Sequence, residues 1–347
     1  MRTVLNQILV ISSLPPARCG VATYAAEHIR QLMGRAFVVR TATTVSDSQS
    51  EHVFEITGIR GCLSWLKFCR RQKGQQVCLH YTDMHFFPRA SGGWMKRLCC
   101  RLLQSIALRD LGNCSGNASV VFHELATGTA MPVVSSKLRV FAFRGWKELQ
   151  FHTQSMRDEC LRHYRGLPYE KCRIIEHAAQ MCRKFDGTPS QARSILGLDR
   201  DKRIFLCIGF LTASKGFDAA IRAFHESGIG ASGIAQLHIV GDTPGNAPTP
   251  SVLDILRTQA NTCPGVILHH GYVDDITFDI WLAACDVLVL PYVGGASSGV
   301  GARASLYGKR LMIRALPNLR DQFPFADVFS SHDDLVALLR SSNRLYK

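Results

Sequence analysis

From Ile204 onward, short uninterrupted apolar runs alternate with segments of helical period, and this alternation constrains the fold more than any other feature of the chain. The runs Ile204–Ile208, Leu237–Val240, Val266–Leu268, Val287–Leu290 and Leu311–Ile313 have strand length and are rich in Val, Ile and Leu. Between them the pattern predicts helices over Phe217–Phe224, Val252–Ala260, Ile276–Ala284 and Ser298–Tyr307. A strand that is apolar on both faces must be covered on both, so the alternation predicts a parallel, doubly wound α/β sheet.

The first half alternates less cleanly, with strands expected near Ile8–Ile11, Phe37–Val39, Val77–Leu79 and Val120–Phe122 and helices over Val21–Met33 and Trp94–Leu108. At 347 residues the chain has room for two domains of ordinary size. The polar, Gly- and Pro-containing stretch from Met181 to Arg203 reads as a linker carrying one helix. The expectation is therefore a Rossmann-like domain over 1–180, a linker over 181–203 and a second Rossmann-like domain over 204–347, facing each other across a cleft. Ligands of such sheets bind beyond the carboxyl ends of the strands.

No run of eighteen or more uncharged apolar residues occurs, so no membrane-spanning helix is expected. The opening segment faintly resembles a secretion signal, but Asn6 and Gln7 interrupt its apolar run, and Pro15–Arg18 stands where a small-residue cleavage site belongs. The thirteen cysteines include no C-x-x-C pair. Reduced, mostly buried thiols of a cytosolic protein are expected, without a zinc finger or disulfide framework.

The net charge of +14 is one-sided: residues 1–170 hold 22 Lys and Arg against 11 Asp and Glu, whereas residues 171–347 hold 19 against 16. Such a field attracts polyanions. On the predicted helix from Trp94, the residues Trp94, Met95, Leu98, Leu102 and Ile106 recur at helical spacing, with Lys96, Arg97 and Arg101 turned elsewhere. This stripe is expected to pack on the sheet, with the exposed basic edge contacting an anionic membrane surface. Aromatic-interleaved basic stripes and nucleic-acid recognition motifs are lacking, so nucleic acid is not an expected partner.

Gly228–Gly233 matches the G-x-G-x-x-G pattern but leaves a helix and precedes a strand, the reverse of the dinucleotide-binding context, and reads as a loop. Gly294–Gly301 has the right context, because it follows the buried strand Val287–Leu290 and opens a helix. There, small residues let backbone N–H groups approach a phosphate, and Ser297 or Ser298 can cap the helix. Lys215, at the exit of the strand ending at Ile208, can reach the same diphosphate, and Cys19-Gly20-Val21 occupies the corresponding place in the first half.

Taken in order, Pro15–Tyr24, Leu79–Thr82, Phe122-His123-Glu124-Leu125, Phe151–Met156, Ile175–Ala178, Gly209–Gly216, His238–Asp242, Gly271-Tyr272-Val273 and Asp286–Pro291 with the following Ser-Gly loop resemble the nucleotide-sugar glycosyltransferases of family 4 across nearly the whole chain. The resemblance implies a GT-B fold and transfer of a hexose-type sugar from a nucleotide diphosphate donor, with retention and with no cofactor or obligatory metal. It implies that Lys215 neutralises the leaving diphosphate with help from the helix beginning at Ser298, that Gly20 closes over the reacting phosphate, and that His123 lies near the transferred sugar. Gly209, Val273, Ser297, Ser298, Gly299 and Val300 complete the implied donor contacts.

Three departures stand out. Phe210 replaces a frequent arginine, and Gly295 and Arg303 replace a pair of glutamates eight positions apart, so Ser297, Ser298 and backbone amides are the expected substitutes in holding the donor. The resemblance also implies a helix crossing back to the first half beyond Asp334–Leu339, whereas the sequence stops at Lys347. The expected function is a cytosolic, peripherally membrane-associated hexosyltransferase acting on a lipid-linked or polysaccharide acceptor in polysaccharide biosynthesis. The alternative is a catalytically silent GT-B protein that binds a nucleotide sugar or serves as a scaffold; an epimerase on the same fold is a further rival.

Overall fold

The computed structural model describes residues 6–342 except 47, 89, 91, 125–131, 244–250 and 296. Ala296 of the Gly-rich loop, Leu125 of the Phe122–Leu125 motif and the first five residues lie outside the described residues. The chain divides into two compact units, Met1–Met181 and Cys182–Lys347.

In the first unit the elements run β1 (Gln7–Ile11), α1 (Gly20–Met33), β2 (Val38–Thr43), β3 (His52–Val53), α2 (Ile59–Arg70), β4 (Gln76–Tyr81), α3 (Asp83–Phe86), α4 (Trp94–Cys114), β5 (Asn117–Phe122), α5 (Pro132–Phe143), β6 (Glu148–Phe151), α6 (Gln154–His163) and β7 (Cys172–Ile174). Its strands pair in the order β3-β2-β1-β4-β5-β6-β7, every described pairing parallel.

The second unit runs α7 (Pro189–Leu196), β8 (Arg203–Ile208), α8 (Phe217–Ser227), β9 (Ala235–Gly241), α9 (Val252–Thr262), β10 (Val266–His270), α10 (Asp275–Ala284), β11 (Val287–Leu290), α11 (Gly299–Ser305), β12 (Arg310–Arg314), α12 (Pro317–Gln322), β13 (Asp327–Phe329) and α13 (His332–Ser341). Its strand order is β10-β9-β8-β11-β12-β13, again all parallel. Counted from the first strand of each unit, both sheets begin with the Rossmann order 3-2-1-4, so a crevice opens where the order reverses, between β1 and β4 and between β8 and β11.

The second core is built from the predicted strands: Ile204–Ile208, Leu237, Ile239, Val287–Leu290 and Leu311–Ile313 are all buried. Side chains fix the helix ends. Ser251 and Ser331 form capping boxes with Asp254 and Asp334, and Asp274 accepts from the N–H groups of Ile276 and Thr277 at the start of α10. Gly228 ends α8 with φ +74°, and a Cβ at Gly230 would meet the Pro264 carbonyl oxygen at 2.3 Å, so Gly228–Gly233 is a tight helix-to-strand turn. Residues 182–203, expected from sequence to link the halves, pack within the second unit, with Ala192 of α7 against Ile280, Ala283 and Ala284 of α10 and Arg193 paired with Asp286 at 2.7 Å.

Helix α4 corrects an expectation. It begins at Trp94 as predicted, but three of the five residues of the stripe expected to pack inward face out, Trp94 being 73% exposed, Met95 64% and Leu102 41%, while Leu98 and Ile106 are half-buried. The buried face is Cys100, Gln104, Ser105, Ala107, Leu108 and Leu111, which meets α2 and α5. This face mixes small side chains with Gln104, Leu108 and Leu111, and Gly112 beside it lies so near the Trp146 ring that a Cβ there would be 2.8 Å away.

Candidate active site

In the second unit the crevice between β8 and β11 gathers most of the residues singled out from sequence. Gly209 leaves β8 with φ +133°, and a Cβ on it would stand 3.7 Å from Val300 Cγ2, which places the β8 exit against the start of α11. The chain then makes a single 3-10 turn, Ala213–Lys215, and Gly216 follows with φ +63°. A Cβ at Gly216 would fall 2.3 Å from the Pro291 carbonyl oxygen, so only glycine lets the Lys215 turn lie against the β11 exit. Val293 N–H donates to the Ser214 carbonyl at 2.9 Å and fastens the two loops.

Between these loops stands Tyr292, which lies in none of the motifs singled out from sequence. Lys215 Nζ lies 3.8 Å from the centroid of its ring, and its hydroxyl is 3.2 Å from Ser298 Oγ. The ring face favours a cation and the hydroxyl end is polar, so one residue ties the ammonium to the helix start. Ser298 is the N-cap of α11: its Oγ accepts from Gly301 N–H at 3.1 Å, while its own N–H donates to Gln322 Oε1 at 2.8 Å and its carbonyl accepts from Gln322 Nε2 at 3.0 Å. Ser298 thus braces the loop through both side chain and backbone. Ser297 beside it is partly exposed. Gly299 and Val300 occupy the first turn, where N–H groups point out of the helix end ahead of its own hydrogen-bond ladder. Val273 stands apart, beyond β10 and two strands from β8, half-buried against the core.

Arg303, where the resemblance implies a glutamate, is buried and turned toward α10. It pairs with Asp279 through Nε and with Asp275 at 3.3 Å, and its guanidinium lies 5.2 Å from the centre of the Phe278 ring. Asp279, fully buried, also accepts from Tyr307 Oη at 2.5 Å and from Lys184 N–H at 2.6 Å. Gly295, the other departure, is exposed with φ +141°.

In the first unit, Gly20 and His123 flank one aromatic residue. Gly20 is the first residue of α1, capped by Cys19, and a Cβ on it meets nothing within 4 Å among the described residues. Nothing in its own unit therefore demands glycine there. One turn on, the buried ring of Tyr24 stands edge-on to His80, His123, His152 and His177, with centroids 4.9 to 5.5 Å apart. His123 Nε2 lies 3.0 Å from His80 Nδ1, and His80 Nε2 lies 3.1 Å from His28 Nδ1. Burial first, then the neighbouring imidazoles, hold His123 well below 6.5, so at neutral pH it offers an uncharged ring to a ligand. Burial likewise holds His152 at about 4. His80 lies in β4, His123 and His152 directly follow β5 and β6, and His177 follows β7. All four lie in motifs that carry the family resemblance, which implies a role only for His123.

No protein-family model and no curated protein matches the sequence. Solved structures match in shape over almost the entire chain. Anabaena HepE, solved in complex with UDP and glucose, superposes with a TM-score of 0.69 over 98% of this chain and 90% of its own, at 11% identity. Sucrose-phosphate synthase from Thermosynechococcus elongatus gives 0.67 over 98% and 90%, at 13% identity. WaaG, a glycosyltransferase involved in lipopolysaccharide biosynthesis, gives 0.65 over 96% and 90%, at 13% identity. The chain has the GT-B fold. In this GT-B chain, the Lys215 turn and the Gly-rich loop stand at the switch point of the second sheet, and Gly20 stands at that of the first.

Proposed function

We propose that the chain is a retaining hexosyltransferase that moves a sugar from a nucleotide diphosphate donor to a lipid-linked or polysaccharide acceptor, with no metal in the transfer step. The observation that carries this reading is the seat of Lys215: an ammonium held on the Tyr292 ring, at the switch point of the second sheet, beside the first-turn amides of α11. A diphosphate bound there gains negative charge as the bond to the sugar breaks, and a cation already in place stabilises that charge more than it stabilises the ground state. Gly209, Ser297, Gly299 and Val300 are the proposed backbone and hydroxyl contacts to the donor, with Ser298 bracing them and Val273 at the rim. Gly20, whose missing side chain serves nothing in its own unit, leaves room for the reacting phosphate, and neutral His123 orients the sugar.

The test is release of nucleoside diphosphate from a panel of UDP-, GDP- and ADP-sugars with a membrane lipid extract as acceptor, followed by the anomeric configuration of the product. Release with one donor class and retained configuration is the expected result; an inverted product overturns the mechanism. One observation favours a second reading, a silent donor-binding protein: Arg303 replaces an implied carboxylate and is locked onto α10. Saturable donor binding without release across the panel is its signature.

The outward face of α4 supports a role at a membrane surface. Among the described residues no helix is long and apolar enough to cross a membrane. Trp94, Met95 and Leu102 are exposed, as are Lys96 and Arg97, which is the pattern of a helix that rests on an anionic interface. Binding to vesicles containing anionic lipid is expected to weaken with salt. At about 1 kcal/mol per cation, Lys96→Ala with Arg97→Ala lowers it roughly 30-fold. Binding that ignores salt, or equal binding to neutral vesicles, contradicts the claim.

A further inference from the structure

We propose that His28, Cys78 and His80 form a site for a thiophilic transition-metal ion of the zinc class in the first unit, its ligands being none of the residues assigned above to the transfer step. Strand β4 and helix α1 build it. Cys78 and His80 are two apart on β4 and so face the same side of the sheet, and α1 lays Tyr24 and His28, one turn apart, over that side. His28 Nδ1 is 3.1 Å from His80 Nε2, Cys78 Sγ is 4.0 Å from the same nitrogen, and the three ligand atoms all lie within 4.8 Å of one another. A tetrahedral ion, with bonds of about 2.0–2.1 Å to nitrogen and 2.3 Å to sulfur, holds its nitrogens about 3.4 Å apart and its sulfur about 3.6 Å from each. Side-chain rotations of roughly 1 Å close the set around such an ion.

The surroundings supply the other parts of a metal site. His80 Nδ1 stands 3.0 Å from His123 Nε2, and donation along that bond fixes the tautomer that turns the His80 Nε2 lone pair toward His28 and Cys78. A cavity of about 160 Å³, lined in part by Tyr24, His28, Cys78, Ser119 and Gln150, borders two of the three ligands, His28 and Cys78, and leaves room for a fourth position. The buried Tyr24 hydroxyl has no hydrogen-bond partner among the described residues and could meet a water or hydroxide there. Two imidazoles and a thiolate suit zinc, cobalt or copper and select against magnesium and calcium, which take oxygen ligands.

The experiment is a cobalt titration of the full chain after dialysis against a chelator. Expected are a thiolate-to-cobalt charge-transfer band in the near ultraviolet and tetrahedral ligand-field bands in the visible, saturating at a single ion per chain and reversed by zinc. Cys78→Ser removes the charge-transfer band. His28→Ala, at a half-buried helix position where the fold survives truncation, weakens binding by at least about tenfold. Cys99→Ser and Cys182→Ser, at exposed thiols, change nothing. No band in the wild type overturns the site, as does a band that persists unchanged in Cys78→Ser or His28→Ala or that depends on Cys99 or Cys182. Because the readout is spectroscopic, it stands whether or not the chain transfers sugar.

Discussion

Lys215→Ala is expected to lower kcat about 10²- to 10³-fold, the usual cost of losing one preorganised stabilising group, while donor affinity falls no more than about tenfold. The asymmetry follows from the seat of the residue. Its ammonium rests on the Tyr292 ring, and the turn that carries it is fixed by Gly216 against the Pro291 carbonyl, so the charge is in place before the donor arrives. Ground-state contacts to the donor are shared with backbone amides and survive the substitution, whereas the charge that develops on the leaving diphosphate loses its partner. Lys215→Arg should rescue little, because a planar guanidinium does not reproduce a compact ammonium over the ring. Steady-state kcat and KM with the donor identified by the release assay, together with calorimetric donor binding, check this. Equal loss in both quantities, or no loss, removes the assigned role.

The second unit is expected to lose stability as pH falls below about 6.5, by about 3 kcal/mol between pH 7 and pH 4.5. His238 is 1% exposed, and burial, then the neighbouring His269, depress its pKa from 6.5 to about 3. Its Nδ1 is 2.9 Å from His269 Nε2, and Trp281 covers both rings. The unfolded chain takes up the proton near 6.5 and the folded chain only near 3, so in that window the unfolded state binds more protons. The stabilisation is complete above the unfolded value and drains away as pH descends toward the folded one. Urea unfolding across this range should show the slope in the wild type and a flatter one in His238→Gln, whose amide keeps a hydrogen-bonding group beside His269. Parallel slopes would assign the acid sensitivity elsewhere.

The two sheets differ in how much of them is legible in the sequence, and burial is the reason. Every strand of the second sheet from β8 to β12 contains a short apolar run, mostly buried except in the edge strand β10, and the periodicity reading finds each one within about two residues of its observed ends. In the first sheet β6 begins with Glu148 and β7 is three residues long with Arg173 at its centre, so neither carries a hydrophobic signal. Helix α4 misleads for the opposite reason: Trp94, Met95 and Leu102, which the apolar spacing picks out, are exposed, whereas the packed side includes Cys100, Gln104, Ser105 and Ala107, which carry little hydrophobic signal. Lys215 and the Gly-Ser loop are legible because glycine and serine after a buried strand announce a backbone that must bend and be capped. Tyr292 is not, since its importance lies in what it touches across the crevice. The histidines occupy an intermediate case. A His in or just after each of four strands is visible in the sequence once the strands are known, but that these strands are neighbours in the order β4-β5-β6-β7 comes only from the fold.

The pairing of Arg303 with α10 also has a historical consequence. Exchanging Arg303 directly for glutamate would place a third carboxylate beside Asp275 and the fully buried Asp279 and would strip Asp279 of its cation, at a cost of about 3–5 kcal/mol. Position 303 can therefore gain a carboxylate at little cost only after Asp279 has become neutral. Tyr307 and Lys184, which also donate to Asp279, tolerate that step as long as an acceptor such as the oxygen of asparagine remains. The order in which these substitutions can accumulate is thus set by a single buried ion pair, and a lineage that holds the arginine is entrenched in it.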